Sequence, residues 1–229
     1  MADGCLLCYI TDRNGFPGNE ADRREHLLEK IREAVLANID YIQLREKDLT
    51  SRELELLARE AMRSVSVLRN ENRELRTKLL VNSRADIALV VQADGIHLRS
   101  DDISAQEVRA VWSKTASSTA AGYSSPSIGV SCHSPEEVAR AKVAGATFAV
   151  FAPVFEKKDS PDIPAAGLGL LREASKAGLP VLALGGITLA NAPSCFESVA
   201  AGIAAIRLFQ ENNIAEVVHQ LRRDFLTRG

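Results

Sequence analysis

The chain has 229 residues, of which 46% are hydrophobic and 25% are charged, a balance typical of a globular protein with a sizeable core. Its 28 basic and 30 acidic residues give a formal net charge of -2, which excludes a global attraction to nucleic acid or to a membrane surface. No apolar run approaches the roughly 18 residues of a membrane span, and no basic segment followed by an apolar one opens the chain. We therefore expect a cytoplasmic protein in which any anion site is local.

Eight short segments are predicted to be strands, and several are nearly continuous apolar runs, as in parallel strands buried on both faces. They cover residues 5–11, 41–46, 78–82, 95–98, 127–132, 148–154, 180–184 and 202–207. Helical patterns lie between them, for example at 22–38, 51–68, 104–112, 135–144, 167–177 and 214–226. Thr50 with Glu53, and Ser134 followed by Pro135, have the residues of helix amino-terminal caps.

The alternation of strands with helices predicts an α/β fold, a (β/α)8 TIM barrel that occupies residues 1–229 as a single domain. An open doubly wound sheet is the alternative, but no glycine fingerprint follows the first strand. Residues 113–126 are rich in Ser, Thr, Ala and Gly, and we interpret them as a loose loop at the bottom of the barrel. A linker is the other interpretation, although the strand pattern resumes immediately afterwards.

Cys5 and Cys8 have the C-x-x-C spacing of redox and zinc motifs. They lie in an apolar strand-like run, and a second ligand pair is missing. Core packing is therefore favoured over metal or redox chemistry.

The most informative segment is YIQLREKD at 41–48, where an apolar start runs into charged residues. The two-residue period of a strand would project Gln43, Arg45 and Lys47 to one side. An amide beside two cations suits a phosphorylated or pyrophosphorylated ligand, because Arg offers a fork and Lys a point charge. The alternative is a solvated strand edge with unrelated charges.

In a TIM barrel, functional residues lie at the carboxyl ends of the strands, and polar residues gather there in this sequence. Besides the second strand, the ends carry Thr11, Asp12, Arg13, Asn82, Ser83, Arg84, Asp101, Asp102, Ser131, His133, Lys157, Lys158 and Arg207. Gly185 and Gly186 before a helix predict a phosphate cradle, because the backbone can approach the ligand and the helix amides point at it. A simple turn is the alternative there.

Asp102 and His133 each have two interpretations, and His97 has one. Asp102 could hold a magnesium ion that bridges a pyrophosphate, since Mg²⁺ prefers a few carboxylates plus ligand oxygens, or it could cap the following helix. His133 could act as an acid or base, or could be a loop histidine without a role. His97 follows an apolar pair, and we expect it to be structural.

Six segments together, in this order along the chain, resemble thiamine phosphate synthases: CYITD at 8–12, QLREKD at 43–48, VNSRADIAL at 81–89, ADGIHL at 93–98, IGVSCHS at 128–134 and ALGGI at 183–187. The resemblance spans nearly the whole chain and extends to a superfamily that includes thiazole tautomerases. It implies a TIM barrel that joins a hydroxymethylpyrimidine pyrophosphate to a thiazole phosphate, with Mg²⁺ as cofactor. It also implies that magnesium-bound pyrophosphate leaves first and that the thiazole nitrogen captures the resulting pyrimidine cation.

The resemblance also implies roles for individual residues. Gln43, Arg45 and Lys47 would hold the pyrimidine pyrophosphate. The other implied roles are that Asn82 faces this substrate, Asp102 binds magnesium, Ser131 contacts the leaving group and the Gly186 amide holds the thiazole phosphate.

The sequence departs from the synthase pattern at three places. Ser83 stands where an aspartate is usual, so one expected magnesium carboxylate is missing. The loop after the sixth strand usually carries threonines and a lysine, whereas residues 152–159 read APVFEKKD, where Lys157 or Lys158 would supply the charge. Arg207 replaces an expected serine, where an arginine could clamp a phosphate or occlude it.

Three functions follow in order of preference. The first is thiamine phosphate synthesis, favoured because Gln43, Arg45, Lys47 and Asp102 are all kept. The second is thiazole tautomerisation, which needs one phosphate site and a proton shuttle, for which His133 is the candidate. The third is a barrel that binds a thiamine precursor without turnover. The sequence leaves open whether the chain forms a homo-oligomer.

Overall fold

The computed structural model describes residues 4–118, 125–156 and 164–228. Within these residues, eight parallel strands close into one barrel in chain order, and the last strand pairs with the first. The strands are β1 (Leu6–Ile10), β2 (Tyr41–Leu44), β3 (Lys78–Asn82), β4 (Gly95–Leu98), β5 (Ser127–Cys132), β6 (Phe148–Phe151), β7 (Val181–Ala183) and β8 (Gly202–Ala205). The prediction of a TIM barrel is therefore confirmed.

Helices follow the strands and pack outside them. They are α1 (Glu20–Leu36), α2 (Ser51–Glu71), α3 (Ala85–Val90), α4 (Ala105–Ser118), α5 (Pro135–Val143), α6 (Gly167–Ser175), α7 (Ala192–Glu197), α8 (Arg207–Gln210) and α9 (Ile214–Leu226). Helix α2 begins with the predicted capping box of Thr50 and Glu53. Helix α5 begins at Pro135, and the Ser134 side chain accepts from the Glu137 amide. None of the helices in the described part of the chain is long and apolar enough to cross a membrane.

The prediction of a loop at 113–126 is wrong over residues 113–118, because these residues form the end of α4. Ser113 Oγ donates to the Arg109 carbonyl at 2.8 Å, and Thr115 Oγ1 donates to the Val111 carbonyl at 3.2 Å. These two hydroxyl groups thus donate to carbonyl groups of the same helix. The alanine in this segment also has a high helix propensity. Residues 119–124 lie outside the described part of the chain.

Two apolar layers lie on opposite sides of the sheet. The larger layer fills the space between the strands and the helices. The smaller one fills the barrel interior, where Tyr41 stacks on Phe148 with ring centroids 4.5 Å apart. A filled interior is a core and not a pore, so a ligand can enter this barrel only at its end.

Cys5 and Cys8 are buried and unpaired, as core packing predicts. Burial raises the pKa of the Cys5 thiol to about 12 and also raises the pKa of Cys8. Both thiols therefore stay protonated at neutral pH, which suits neither metal binding nor redox exchange.

Candidate active site

A cavity of about 780 Å³ opens at the carboxyl ends of the strands, within the size range of small-molecule sites. Residues after every strand contribute to its wall. The structure brings together nine of the predicted site residues there: Gln43, Arg45, Lys47, Asn82, Ser131, His133, Gly185, Gly186 and Arg207.

Two further predicted residues are not among the described residues that line this wall. Lys157 lies outside the described part of the chain. Asp102 lies beside the cavity, whereas its neighbour Asp101 lines it. The cause is a closed turn, in which the Arg99 amide donates to Asp102 Oδ2 at 2.7 Å and the Asp102 amide donates to the Arg99 carbonyl at 3.3 Å.

Asp102 does not cap the following helix either. Helix α4 begins at Ala105, and the side chain of Ser104 caps it by accepting from the Glu107 amide at 3.2 Å. In the described residues, no group of three or more His, Cys, Asp or Glu side chains is arranged to hold a metal ion by itself.

Gln43 presents an unsatisfied acceptor at the cavity. Its Nε2 donates to Asn82 Oδ1 at 2.8 Å, and Asn82 Nδ2 donates to Ser83 Oγ at 3.2 Å. The Gln43 Oε1 atom is buried and accepts no hydrogen bond within the described residues. Because a buried acceptor without a partner is costly, this atom is suited to receive an N–H or O–H group of a ligand.

A buried network behind the cavity wall positions Arg45. The Arg45 amide donates to Thr11 Oγ1 at 2.9 Å, and this hydroxyl donates to Glu46 Oε1 at 2.5 Å. Glu46 Oε2 accepts from the Arg13 amide at 3.0 Å, and the Arg13 guanidinium forks onto Asp48 at 2.6 and 2.9 Å. Segments that follow β1 and β2 are thereby tied together at the rim of the cavity.

The network shifts the pKa values of its acids in opposite directions. Burial raises the pKa of Glu46, although hydrogen bonds from Thr11 and Arg13 oppose the shift. The Arg13 fork lowers the pKa of Asp48. Glu46 and Asp48 were not predicted as part of the site, because β2 ends at Leu44 and their contacts are made by the irregular segment that follows it.

Gly186 allows two loops to approach closely. Its φ is +62°, in the left-handed region, and a Cβ there would lie 2.6 Å from the Glu156 carbonyl oxygen. The Asn191 side chain braces this loop, because its Nδ2 donates to the Gly186 carbonyl at 2.9 Å and its Oδ1 accepts from the Thr188 amide at 2.8 Å.

The helix expected directly after the glycines begins later. Helix α7 starts at Ala192, so the amides that line the cavity belong to the loop and not to the first turn of the helix. The amides of Gly186 and Ile187 make no hydrogen bond within the described residues. They are therefore available to an anion.

The charges around the cavity favour an anionic ligand. In the described part of the wall, cations outnumber carboxylates. The cations are Arg45, Lys47, Arg99 and Arg207, and the carboxylates are Asp12 and Asp101. Desolvation by burial lowers the pKa of Arg45, and the nearby charges of Asp12 and Glu46 oppose this shift. A local positive field thus exists in a chain whose net charge is only -2.

His97 was expected to be structural and is buried, yet it also lines the cavity. Its Nε2 lies 3.0 Å from Ser131 Oγ. Burial lowers the pKa of His97 to about 4, and the charge of Arg45 acts in the same direction. The sequence feature that could have placed His97 at the cavity is the alternation of β4, which turns His97 and Ile96 to opposite faces of the sheet.

His133 is held by backbone groups at the rim. Its Nδ1 lies 2.7 Å from the Ala152 carbonyl oxygen, and since a carbonyl can only accept, Nδ1 carries a proton. The His133 amide donates to Glu137 Oε2 at 2.6 Å. In the neutral ring, Nε2 therefore has a free lone pair.

The chain is similar to known proteins of one family. The family model described as thiamine monophosphate synthase matches residues 9–209. The chain is 36% identical over 208 residues to a putative thiamine-phosphate synthase 2 of Aquifex aeolicus, covering 90% of this chain and 97% of that protein. It is 36% identical over 204 residues to a thiamine-phosphate synthase of Syntrophomonas wolfei, covering 87% and 86%.

A solved structure shows the same architecture. The thiamine phosphate pyrophosphorylase from Pyrococcus furiosus superposes with a TM-score of 0.74 at 26% identity, covering 96% of this chain and 95% of that one. The fold, the order of the matched segments and the extent of the match lead to one conclusion. The chain belongs to the thiamine monophosphate synthase family.

Proposed function

We propose that this protein is a thiamine-phosphate synthase, a transferase of thiamine biosynthesis that joins hydroxymethylpyrimidine pyrophosphate to thiazole phosphate and releases pyrophosphate. The observation that carries the proposal is the cavity wall of this chain, which belongs to the family. The wall has a cluster of cations, the buried Gln43 Oε1 acceptor, and the amides of Gly186 and Ile187, which have no partner within the described residues. Each of these matches one part of the two substrates.

The pyrimidine pyrophosphate would bind along β2. The unsatisfied Gln43 Oε1 suits the amino group of the pyrimidine, and Asn82 holds the Gln43 amide in that orientation. Arg45 and Lys47 lie further along the same wall and would neutralise the pyrophosphate. Ser131, in β5, also lines the cavity and would donate to the leaving group.

The thiazole phosphate would bind at the loop after β7. The amides of Gly186 and Ile187 line the cavity there and would donate to phosphate oxygens. Arg207 also lines the cavity, and its guanidinium would clamp the same phosphate. At the position where the resemblance to synthases implies a serine, this chain would thus have a stronger anion partner. Lys157 would add a further cation from the loop after β6.

The residues after β4 fit a substrate-bridged magnesium ion better than a resident metal. Asp102, with Asp101 beside it, would supply carboxylates, and Mg²⁺ commonly takes only one or two of these plus phosphate oxygens and water. Arg99 now pairs with both acids, at 2.7 Å from Asp101 and 3.7 Å from Asp102, so the ion would compete with this guanidinium. When bound, the ion would add positive charge that stabilises the departing pyrophosphate.

The chemistry needs little acid–base work. The bond between the pyrimidine methylene carbon and the pyrophosphate oxygen breaks, and its electron pair stays on that oxygen. The lone pair of the thiazole nitrogen then forms the new carbon–nitrogen bond. Arg45, Lys47 and Ser131 would stabilise the developing negative charge, while the filled barrel interior orients both rings at the mouth.

A coupled assay tests this proposal. The wild-type protein is mixed with hydroxymethylpyrimidine pyrophosphate, thiazole phosphate and magnesium, and both thiamine phosphate and pyrophosphate are measured. We expect turnover that falls by about 100-fold or more in Arg45→Gln and Lys47→Gln, because each removes a charge that acts on the leaving group. The absence of product from a folded wild-type protein would reject the synthase function.

The geometry of His133 supports a second candidate, thiazole tautomerisation. The Ala152 carbonyl fixes the ring, so that its second nitrogen would be free to move a proton. Deuterium exchange into a thiazole carboxylate phosphate, abolished in His133→Gln, would favour this activity. Synthase turnover that is unchanged in His133→Gln, without such exchange, would reject it.

A further inference from the structure

His97 and Ser131 form a polar pair where the barrel interior meets the cavity. His97 is 1% exposed, and its Nε2 lies 3.0 Å from Ser131 Oγ. Ser131 lines the cavity. Within the described residues, its hydroxyl group has no hydrogen-bond partner other than His97.

The packing of the His97 ring determines which nitrogen carries the proton. Nδ1 is buried without a partner among the described residues. It faces Gly129, where a Cβ would lie 2.6 Å from Nδ1 and 2.5 Å from Phe148 Cζ. A buried N–H group without an acceptor is rarer than an unsatisfied acceptor, so the proton lies on Nε2 and Nδ1 holds only a lone pair.

The His97 ring has a single proton at neutral pH. Burial is the main cause that lowers its pKa to about 4, and the charge of Arg45 adds to it while that of Asp102 opposes it. The Nε2–H group therefore donates to Ser131 Oγ. Since the described residues offer the Ser131 hydroxyl no acceptor, its own proton is available to a ligand in the cavity.

We propose that His97 is a positioning residue, which holds the Ser131 hydroxyl so that its proton points at the leaving oxygen of the pyrophosphate. This inference rests on the proposed function, since it names how one donor of that site is oriented. When the carbon–oxygen bond breaks, the electron pair stays on the leaving oxygen, and the hydrogen bond from Ser131 stabilises it. His97 keeps its proton throughout.

A double-mutant cycle on turnover tests the role of His97. His97→Leu removes the donor and should lower kcat about tenfold, with little change in KM for the pyrimidine substrate, because the loss concerns charge that develops in the transition state. His97→Gln keeps an N–H group in a similar place and should restore most of kcat. In the Ser131→Ala background, His97→Leu should cause no further loss. An equal loss in both backgrounds would overturn the proposal.

A second measurement does not depend on turnover. Nitrogen-15 NMR of the histidine rings in the ligand-free wild-type protein reports the tautomer, and the His97→Gln variant identifies which of the four histidine signals belongs to His97. We expect a neutral ring protonated on Nε2 at pH 7. A ring protonated on Nδ1, or on both nitrogens, would overturn the proposal, whereas missing turnover in the wild type would reject only the synthase function.

Discussion

At the scale of single residues, two buried polar atoms near the cavity lack partners within the described residues. They differ in whether a ligand in the cavity can reach them. Gln43 Oε1 belongs to a residue of the cavity wall, so a ligand can reach it. His97 Nδ1 instead faces Gly129, inside the packed barrel. We therefore propose the first atom as a recognition group, while the second indicates the tautomer of its ring.

The buried His97 should make stability depend on pH. In the unfolded chain its pKa is near the ordinary 6.5, whereas in the folded protein it is about 4, so the unfolded state binds more protons between these values. We expect the free energy of unfolding to fall by up to about 3 kcal/mol from this residue as the pH drops from 6.5 towards 4. Urea unfolding at pH 7 and pH 4.5 measures this difference in the free energy of unfolding.

His97→Gln is the control for that experiment, because glutamine does not titrate. The loss of stability between the two pH values should be smaller in this variant than in the wild type. Equal losses in both proteins would contradict a neutral, buried His97.

Ser83 allows a direct test of the magnesium site. Its φ is +58°, a left-handed conformation that aspartate and asparagine tolerate better than most residues. Ser83→Asp should lower the magnesium concentration for half-maximal velocity about tenfold, because it adds a carboxylate next to Asn82. Ser83→Asn adds similar bulk without charge and should leave the magnesium dependence unchanged. The same dependence in both variants would place the metal elsewhere.

At the scale of elements, the ends of β1 and β2 act as one unit. Thr11 Oγ1 joins the Arg45 amide to the Glu46 carboxylate, so the segment after β2 that carries Arg45 and Lys47 is held by the end of β1. Such a link could not be predicted from the sequence, since Thr11 and Glu46 are separated by the whole of α1.

Thr11→Val tests this link, because valine keeps the shape and removes the hydroxyl. The Arg45 amide and a buried carboxylate oxygen would lose their partner, which should cost about 2 kcal/mol in the free energy of unfolding. Thr11→Ser retains the hydroxyl and should lose clearly less. Urea denaturation compares the two variants, and equal stability would show that the link contributes nothing.

The strands and the longer helices could be predicted, whereas the shortest helices could not. The predictions for β3, β4, β5 and α9 agree with the structure in both bounds, because each has a clear apolar pattern. Helices α3 and α8 were not predicted, and α7 was expected directly after the glycines and not at Ala192. These helices have 6, 4 and 6 residues, too few for a helical period to be visible. The strands predicted at 5–11, 41–46, 148–154, 180–184 and 202–207 are shorter in the structure, because the sequence pattern of each continues beyond the residues that pair in the sheet.

At the scale of the whole molecule, closure of the barrel joins the two ends of the chain. Strand β8 pairs with β1, so that Leu6 lies opposite Gly202. We infer that the chain forms a single domain, because removing either end would open the barrel and expose its interior core. Closure also gathers residues from all eight strand ends around one cavity.

Gly202 lies where β8 approaches β1 too closely for a side chain to fit. A Cβ at this position would collide with the Leu6 carbonyl oxygen on the neighbouring strand. Gly202→Ala should therefore lower the free energy of unfolding by about 3 kcal/mol or more, as measured by urea denaturation.

Gly169→Ala is the matched control, because a Cβ there meets nothing within 4 Å. In the interior of α6, this change should raise stability by about 0.5 to 1 kcal/mol. A Gly202→Ala protein as stable as the control would show that the seam between β8 and β1 adapts to a side chain.

The sequence by itself determined the barrel, the strand ends at which function lies and most of the cations of the site. These properties follow from local patterns, since the period of apolar residues sets each element and polar residues after a strand mark one end of the sheet. Only the tertiary structure decided that His97 contacts Ser131, that Asp101 and not Asp102 lines the cavity, and that Gly185 and Gly186 lie in a loop several residues before α7. Those contacts join residues distant in sequence or depend on the closure of individual turns, and no local pattern encodes such distances.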